Sequence, residues 1–314
     1  MTNLNRNLLS LLANGEFHSG SQLADALALS RTAINNHIKQ LQEMGVDIYS
    51  VKGKGYRLAA PMDLLDKDLI GPIPRGTLFV LEDVDSTNEY LLSKIGTLAT
   101  GDCCLAEYQT QGRGRRGRQW VSPYGSAIYL SMYWQLGSGI AQTAGMSLAV
   151  GVALAEALDN LGHQQVSLKW PNDLLIGGRK LGGILIEMRG QFGEAADMVI
   201  GVGINVQLPE QQNIDQPWIN LNSQGGVVNR NALASELIKV LQAALSQFEH
   251  QGLTPFLSRW DRFDRYRGKE VALTMGDKQV VGVCEGIDET GALKLKTDVG
   301  IELYNGGEVS LRPA

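Results

Sequence analysis

VSLKWPNDLLIGGRKLGGILIEM, residues 166–188, is the stretch on which the fold turns. Val166–Trp170 and Ile184–Met188 have the apolar character of strands, and Gly177-Gly178 supplies a turn between them. Pro171 has no N–H to give a ladder, so the first strand ends or bulges within Lys169-Trp170-Pro171-Asn172-Asp173. Asn172 and Asp173 are then turned out at a strand end. There Asp173 can orient or deprotonate an attacking amine, or help to hold magnesium. A turn with a buried Trp and an Asx bond accounts for the same residues. In Gly178-Arg179-Lys180-Leu181-Gly182-Gly183, one ammonium beside two glycines can meet a carboxylate or phosphate. A plain hairpin turn explains that segment as well.

Strands and helices continue on both sides. Leu78–Leu81, Cys104–Tyr108, Ile128–Trp134 and Met198–Val206 read as strands, and Thr143–Leu161 as a long apolar helix. Residues 207–228 read as a long loop of the kind often used as a lid. Asn231–His250 is a helix, and Thr254-Pro255 opens another with Pro in its first turn. From Gly268 the pattern changes to Glu270–Thr274, Gln279–Cys284, Ala292–Lys296, Ile301–Tyr304 and Glu308–Leu311, with tight turns such as Gly306-Gly307. That is the texture of a small SH3-like β-barrel.

Two further segments carry polar chemistry. Gly112-Arg113-Gly114-Arg115-Arg116-Gly117-Arg118 interleaves rigid guanidinium forks with glycines that let backbone approach a ligand. Its natural cargo is a polyphosphate or an acyl phosphate, although a solvated basic loop has the same composition. The Gly-Lys-Ser/Thr end of a Walker loop is missing. Ser86-Thr87-Asn88-Glu89 is either a helix capping box or a set of hydroxyls and an amide offered to a polar ring such as a ureido group.

The N-terminal part is of another kind. Residues 4–13, a helix from Ser19 with Gln22 at capping-box spacing, and a helix from Ser30 precede short strands at Ile48–Val51 and Tyr56–Leu58. The second helix turns Leu23, Ala26 and Leu27 inward. The third turns Ile34, Ile38 and Leu41 inward and Arg31, Asn35, Lys39 and Gln42 outward. This is a winged helix-turn-helix, with Lys52 and Lys54 on the wing for phosphates and the third helix for base edges. A three-helix module for protein contacts is the plain alternative. Pro61 and the polar residues after it mark a linker.

Bulk composition limits the rest. A formal net charge of −5 excludes a whole-molecule grip on DNA, so any such binding is local. Three cysteines give no disulfide framework and fit a reducing compartment. The four histidines are scattered, which leaves no metal-ligand spacing. No apolar run reaches the roughly 20 residues of a membrane span, and no secretory signal opens the chain. A cytoplasmic protein is expected.

Taken in order, Ser-Thr-Asn, Gln109 with the Gly-Arg loop, Lys-Trp-Pro-Asn-Asp, Arg-Lys-Leu-Gly-Gly-Ile-Leu-Ile-Glu and Gly201-Val202-Gly203-Ile204-Asn205 resemble the bacterial bifunctional biotin–protein ligases, whose N-terminal module represses the biotin operon. The resemblance covers nearly the whole chain. It implies an α+β protein with a winged helix-turn-helix at 1–62, a mixed-sheet ligase domain of the biotin/lipoate type at 63–267 and the SH3-like domain at 268–314. It implies ATP with Mg2+, biotin as substrate, and no metal bound by the protein itself. Biotin is expected against Ser86, Thr87, Asn88, Gln109, Arg113, Gly114, Arg115 and Lys180. Adenylate is expected against Arg113, Arg115, Lys169, Asn172, Asn205 and Trp218, with Lys180, Asp173 and Arg115 catalytic. Operator DNA is expected against Ser30, Arg31, Thr32, Asn35, Asn36, Lys39, Lys52 and Lys54. The other implied partners are the biotin carboxyl-carrier protein of acetyl-CoA carboxylase and a second copy of the chain, joined when biotinyl-5′-AMP is bound. Two rivals stand beside this reading: a DNA-binding regulator that only senses a ligand, and a lipoate-type ligase of the same fold.

Overall fold

Side-chain oxygens start the first helices. Ser19 Oγ accepts from Gln22 N at 3.1 Å while Ser19 N donates to Gln22 Oε1 at 2.8 Å, the reciprocal capping box. Ser30 Oγ accepts from Ala33 N at 3.1 Å. The computed structural model, which describes all residues except 1–2, 138–144, 190–194, 211, 213, 306–308 and 314, thus opens with α1 (Asn3–Leu12), α2 (Gly20–Leu27) and α3 (Arg31–Glu43). Strands β1 (Ile48–Val51) and β2 (Gly55–Leu58) form the antiparallel wing. Leu8, Leu12, Leu23, Ile34, Ile38 and Leu41 make the core of this unit. One expectation needs correction. Ala26 is exposed, and Ala24 takes the inward place because the short helix turns a little further than its leucines suggest. Gln42 is exposed, as expected, and its Nε2 donates to Ile48 O at 2.9 Å, which ties α3 to the wing.

A one-turn helix, α4 (Lys67–Ile70), then leads into the central sheet. Its elements are β3 (Leu78–Val84), α5 (Thr87–Leu92), β4 (Cys103–Gln109), β5 (Ala127–Leu136), α6 (Met146–Asn160), β6 (Val166–Lys169), β7 (Asp173–Ile176), β8 (Arg179–Arg189) and β9 (Ala196–Asn205). The sheet order is β3-β4-β5-β9-β8-β7-β6, with β3–β4 parallel and the other pairs antiparallel. The stretch 166–188 therefore holds three strands rather than two. Leu174, Leu175 and Ile176 are buried and form β7, which the sequence reading had merged into the turn. Helix α6 is apolar all round because it lies between the sheet and α7 (Arg230–Gln251). Its expected start at Thr143 lies outside the described residues. Thr254–Phe256 is a 3-10 turn, and α8 (Leu257–Phe263) follows it.

The last strands are β10 (Glu270–Met275), β11 (Lys278–Ile287), β12 (Leu293–Thr297), β13 (Gly300–Tyr304) and β14 (Val309–Pro313), in the order β13-β12-β11-β10-β14. The turn at Gly306-Gly307 and Glu308 lies outside the described residues. Among the described residues no pairing joins β13 to β14, so the described strands form an antiparallel sheet, and closure into the expected barrel is not seen among them. Turn spacing predicted its strands, but closure depends on long-range pairing that spacing does not encode.

The N-terminal unit is clamped to the central one. Tyr124, which follows the basic loop, sits fully buried in the winged-helix core, and its N donates to Met44 O at 3.1 Å. Its hydroxyl donates to Glu82 Oε2 at 2.5 Å, and Glu82 also pairs with Arg6. Underneath, Glu107 and Arg230 form a fully buried ion pair at 2.7 Å. Arg230 donates to Asp63 O and Ala127 O, and Glu107 accepts from Leu65 N. The expected linker at Pro61 is thus held backbone atom by backbone atom.

Candidate active site

The strand-end segment builds one side of the site. Asp173 is the first residue of β7, and its carboxylate meets Lys180 Nζ at 2.7 Å and Lys169 Nζ at 3.8 Å. Lys180 is in β8 rather than in the turn, so its side chain rises from the sheet. Its ammonium stands 5.4 Å from the centre of the Trp120 ring. Gly203 makes this stacking possible, because a Cβ there would lie 2.6 Å from the indole. Asn172 Nδ2 donates to Ile184 O at 2.8 Å and its Oδ1 accepts from Arg115 Nη1 at 3.0 Å. Asn172 thus ties the basic loop to the sheet. Trp170 is buried, and its Nε1 donates to Gly291 O, so that part of the plain alternative holds.

Cations crowd this end. Burial lowers the pKa of Lys169, Asp173 opposes that, and Arg312, Lys180 and Arg118 lower it further. Burial and the neighbouring Arg116 likewise lower that of Arg115, against Asp173. An arginine remains charged at any working pH, and the neighbouring cations, unlike burial, make a field that favours an incoming anion.

Ser86–Asn88 build the other end. Ser86 sits at the helix N-cap position but its side chain makes no capping bond, so the capping-box reading of this segment is not what the structure has. Thr87 N donates to Gln109 Oε1 at 2.9 Å, and Gln109 Nε2 donates to Ser122 Oγ at 2.9 Å. Asn88 Nδ2 donates to Glu187 Oε2 at 2.8 Å. Arg113 pairs with Glu89 at 2.8 Å and with Glu187.

One cavity of about 410 Å³ joins the two ends. Ser86, Thr87, Asn88 and Gln109 line it at one end and Lys169, Asn172, Asp173 and Lys180 at the other. Arg113, Gly114 and Arg115 lie along it, as do Asn205 and Trp218. Every expected ligand-site residue therefore borders a single space. Asn205 is partly committed to structure, since its Nδ2 donates to Lys180 O and Ile219 O. Trp218 is held beside Lys180 by a parallel bridge, with Lys180 N donating to Pro217 O and Ile219 N to Lys180 O. The expected loop 207–228 is therefore anchored at its middle, and Leu221–Gln224 forms a 3-10 turn.

The sequence reading missed several residues. Trp120, just after the basic loop, and Arg312, from β14, line the cavity, while Ser122 and Glu187 stand behind it, bonded to Gln109 and to Asn88 and Arg113. Only Glu187 carried a signal, as a lone carboxylate in an apolar strand. Among the described residues, no group of three His, Cys, Asp or Glu side chains is placed to hold a metal ion.

On the N-terminal unit, Ser30, Arg31, Thr32, Asn36 and Lys39 are exposed along α3, and Lys52 and Lys54 are exposed on the wing. Asn35 is half-buried and accepts from Tyr56 OH at 3.4 Å. Arg57, not singled out from the sequence, stacks over Phe17 and Tyr49.

Known proteins resemble this chain in sequence and in fold. Residues 80–205 match the Biotin/lipoate A/B protein ligase family, residues 5–57 an HTH domain, and residues 267–312 the Biotin protein ligase C terminal domain. The Bifunctional ligase/repressor BirA of Escherichia coli (strain K12) is 50% identical over 310 residues, 98% of this chain and 97% of that protein. The protein of the same name from Bacillus subtilis (strain 168) is 28% identical over 98% of each chain. The solved structure of biotin protein ligase from Aquifex aeolicus in complex with biotin and ATP superposes with a TM-score of 0.66 at 29% identity, covering 76% of this chain and 99% of that one. Half identical to such a protein over nearly its whole length, and matching the ligase, HTH and C-terminal ligase families in turn, the chain belongs to the bacterial bifunctional biotin–protein ligase and repressor family.

Proposed function

We propose that the chain activates biotin with ATP to biotinyl-5′-AMP and transfers the biotinyl group to a lysine of the biotin carboxyl-carrier protein of acetyl-CoA carboxylase, and that it represses the biotin operon with the same adenylate as corepressor. The observation that carries the reading is the single cavity, with a hydrogen-bonding end at Ser86–Asn88 and a cationic end at Lys169, Lys180 and Arg115. In the first step a biotin carboxylate oxygen bonds to the α-phosphorus of ATP and pyrophosphate leaves. In the second the carrier amine bonds to the carbonyl carbon of the mixed anhydride and AMP leaves. No enzyme nucleophile is needed, and catalysis rests on positioning and on cations around the phosphate. Asp173 serves first by holding Lys180 and Lys169 in place, and through them the amine's approach. Mg2+ would come with the nucleotide and offset charge on its phosphates.

Biotin is assigned to Ser86, Thr87, Asn88, Gln109, Arg113, Gly114, Arg115 and Lys180, and adenylate to Arg113, Arg115, Lys169, Asn172, Asn205 and Trp218. Operator DNA is assigned to α3 and the wing, on a homodimer formed when the adenylate is bound. The working boundaries are 1–62, 63–267 and 268–314, with the last unit of SH3-like type. No helix among the described residues is long and apolar enough to cross a membrane, and we place the chain in the cytoplasm. The test is a mass spectrum of an unmodified carrier domain after incubation with this protein, Mg·ATP, and equal biotin and lipoate. The expected shift is one biotinyl group. A lipoyl shift overturns the substrate, and no shift leaves a ligand-sensing repressor.

A further inference from the structure

The cationic end of the cavity stands on a hairpin turn. Lys169 ends β6 and Asp173 begins β7, and the two are paired across Trp170-Pro171-Asn172. Residues in so short a turn have few ladder bonds, so the place of the turn is set by ties to its surroundings. Asn172 is tied to Ile184 O and to Arg115, and Pro171 O accepts from Ser147 Oγ of α6 at 2.6 Å. The third tie comes from the C-terminal sheet. Trp170, 2% exposed, donates from its Nε1 to Gly291 O at 3.1 Å.

Gly291 belongs to the turn between β11 and β12, Asp288-Glu289-Thr290-Gly291-Ala292, and that turn is built around one carboxylate. Asp288 Oδ1 accepts from Thr290 N at 2.9 Å, from Thr290 Oγ1 at 2.8 Å and from Ala292 N at 2.9 Å. Asp288 N donates to Ala292 O at 2.9 Å, and Gly291 N to Asp288 O at 3.0 Å. Burial raises the Asp288 pKa, but the Thr290 hydroxyl and the N–H groups of Ala292, Thr290 and Gly291 outweigh it and hold the carboxyl below its ordinary range. At neutral pH it is therefore a charged group that only accepts. Gly291 has φ +86°, and a Cβ there would lie 2.9 Å from Leu148 Cδ1 and 3.1 Å from Gly145 Cα. The backbone of the turn is thus pressed against the start of α6, with its carbonyl on the indole.

We propose that Asp288 is a positioning residue for the reaction. Through the Gly291 carbonyl and the Trp170 indole it fixes the hairpin turn on which Lys169 and Asp173 stand. Asp173 in turn holds Lys180 at 2.7 Å, so the setting of the turn reaches the whole cationic end. The proposal rests on the assignment of the cavity to biotin and ATP.

The experiment uses the full chain and reads kcat and KM for biotin in adenylate formation, well below the unfolding midpoint of each variant. Asp288→Ala removes the acceptor that shapes the turn. Its kcat should fall about tenfold, less than the roughly 10²-fold cost of a full 1 Å misplacement. KM for biotin should stay within about twofold, because the hydrogen-bonding end at Ser86–Asn88 lies at the other end of the cavity. Asp288→Asn keeps an oxygen acceptor and should recover most of the loss. Glu289→Gln removes an exposed charge one residue on and should leave kcat unchanged, which separates geometry from net charge. Trp170→Phe deletes the N–H and keeps a ring. In that background Asp288→Ala should cost little more, since both changes break one tie. If Asp288→Ala does not fold, Trp170→Phe alone carries the test and should lower kcat by a similar factor. An unchanged kcat in Asp288→Ala or Trp170→Phe, a loss confined to KM, or costs that multiply in the double variant overturn the proposal while the unaltered protein still adenylates biotin. Failure of the unaltered protein to do so overturns the cavity assignment, and this proposal with it.

Discussion

Arginine–glutamate pairs hold two regions of this molecule, and they work differently. At the junction with the winged helix, Arg230 is 3% exposed and Glu107 is fully buried. At the cavity mouth, Arg113 is 37% exposed, with Glu89 at 39% and Glu187 at 26%. Water competes with the second set and not with the first. A buried pair that loses one member leaves an unpaired charge in the core, whereas an exposed pair releases its members to solvent at small cost. The junction is therefore a fixed joint. The mouth is a latch that can open.

The largest expected effect tests the joint. Arg230→Met should cost about 3–5 kcal/mol of stability, on the order of 10 °C in the unfolding midpoint, because Glu107 loses its buried counter-charge as the carbonyls of Asp63 and Ala127 lose their donor. Thermal unfolding followed by circular dichroism measures it. A loss below about 1 kcal/mol would make the junction no firmer than the mouth.

Lys180→Met comes next. Lys180 sits 2.7 Å from Asp173 in the cationic end, so its removal should slow adenylate formation by roughly 10²–10³-fold, the usual cost of one preorganised charge donor. Pyrophosphate release at saturating biotin reads it. A change within threefold would remove Lys180 from the chemistry and return it to a structural ion pair.

A smaller effect concerns what the joint transmits. Lys52 and Lys54 are exposed on the wing, away from the cavity. Changing both to Ala should reduce the salt slope of operator binding by about 2, roughly one unit per phosphate contact, with ligation unchanged. Binding titrations at several salt concentrations, paired with ligation assays, decide it. Equal loss of both activities would mean that the rigid joint couples the wing to the active site, and the modular picture would fall.

These two regions were not equally legible in the sequence. The cavity residues were readable because their chemistry is local: Lys169 to Asp173, the Gly-Arg loop and Ser86–Asn88 are short runs with few other uses. The winged helix was readable because Ser19 and Ser30 cap helices at standard spacing. The joint was not. Glu107 and Arg230 are 123 positions apart, and Glu107 lies in a strand that reads as plain core. Tyr124 looks like a loop aromatic until the winged helix closes over it. Strand β7 was hidden for a different reason, since Leu174–Ile176 is too short to separate from a turn by periodicity. Glu187 stood in the quoted stretch all along, but its partners Asn88 and Arg113 meet it only across the sheet.

The smallest effect tests the latch. Arg113→Met removes the guanidinium that joins Glu89 on α5 and Glu187 on β8 to the basic loop. All three side chains are partly exposed, so global stability should fall by less than about 1 kcal/mol. The local consequence is greater, because the loop loses its guanidinium contacts to α5 and β8 while that of Arg115 with Asn172 at 3.0 Å stays. Residues 112–118 then become the segment most easily opened, and trypsin should cut at Arg115, Arg116 or Arg118 several-fold faster while the rest of the chain stays intact. Adding the adenylate should restore protection in part, since Arg115 gains a phosphate partner. Unchanged cleavage in the variant would show that Arg115 and the backbone hold the loop closed unaided, and the mouth would then be as fixed as the joint.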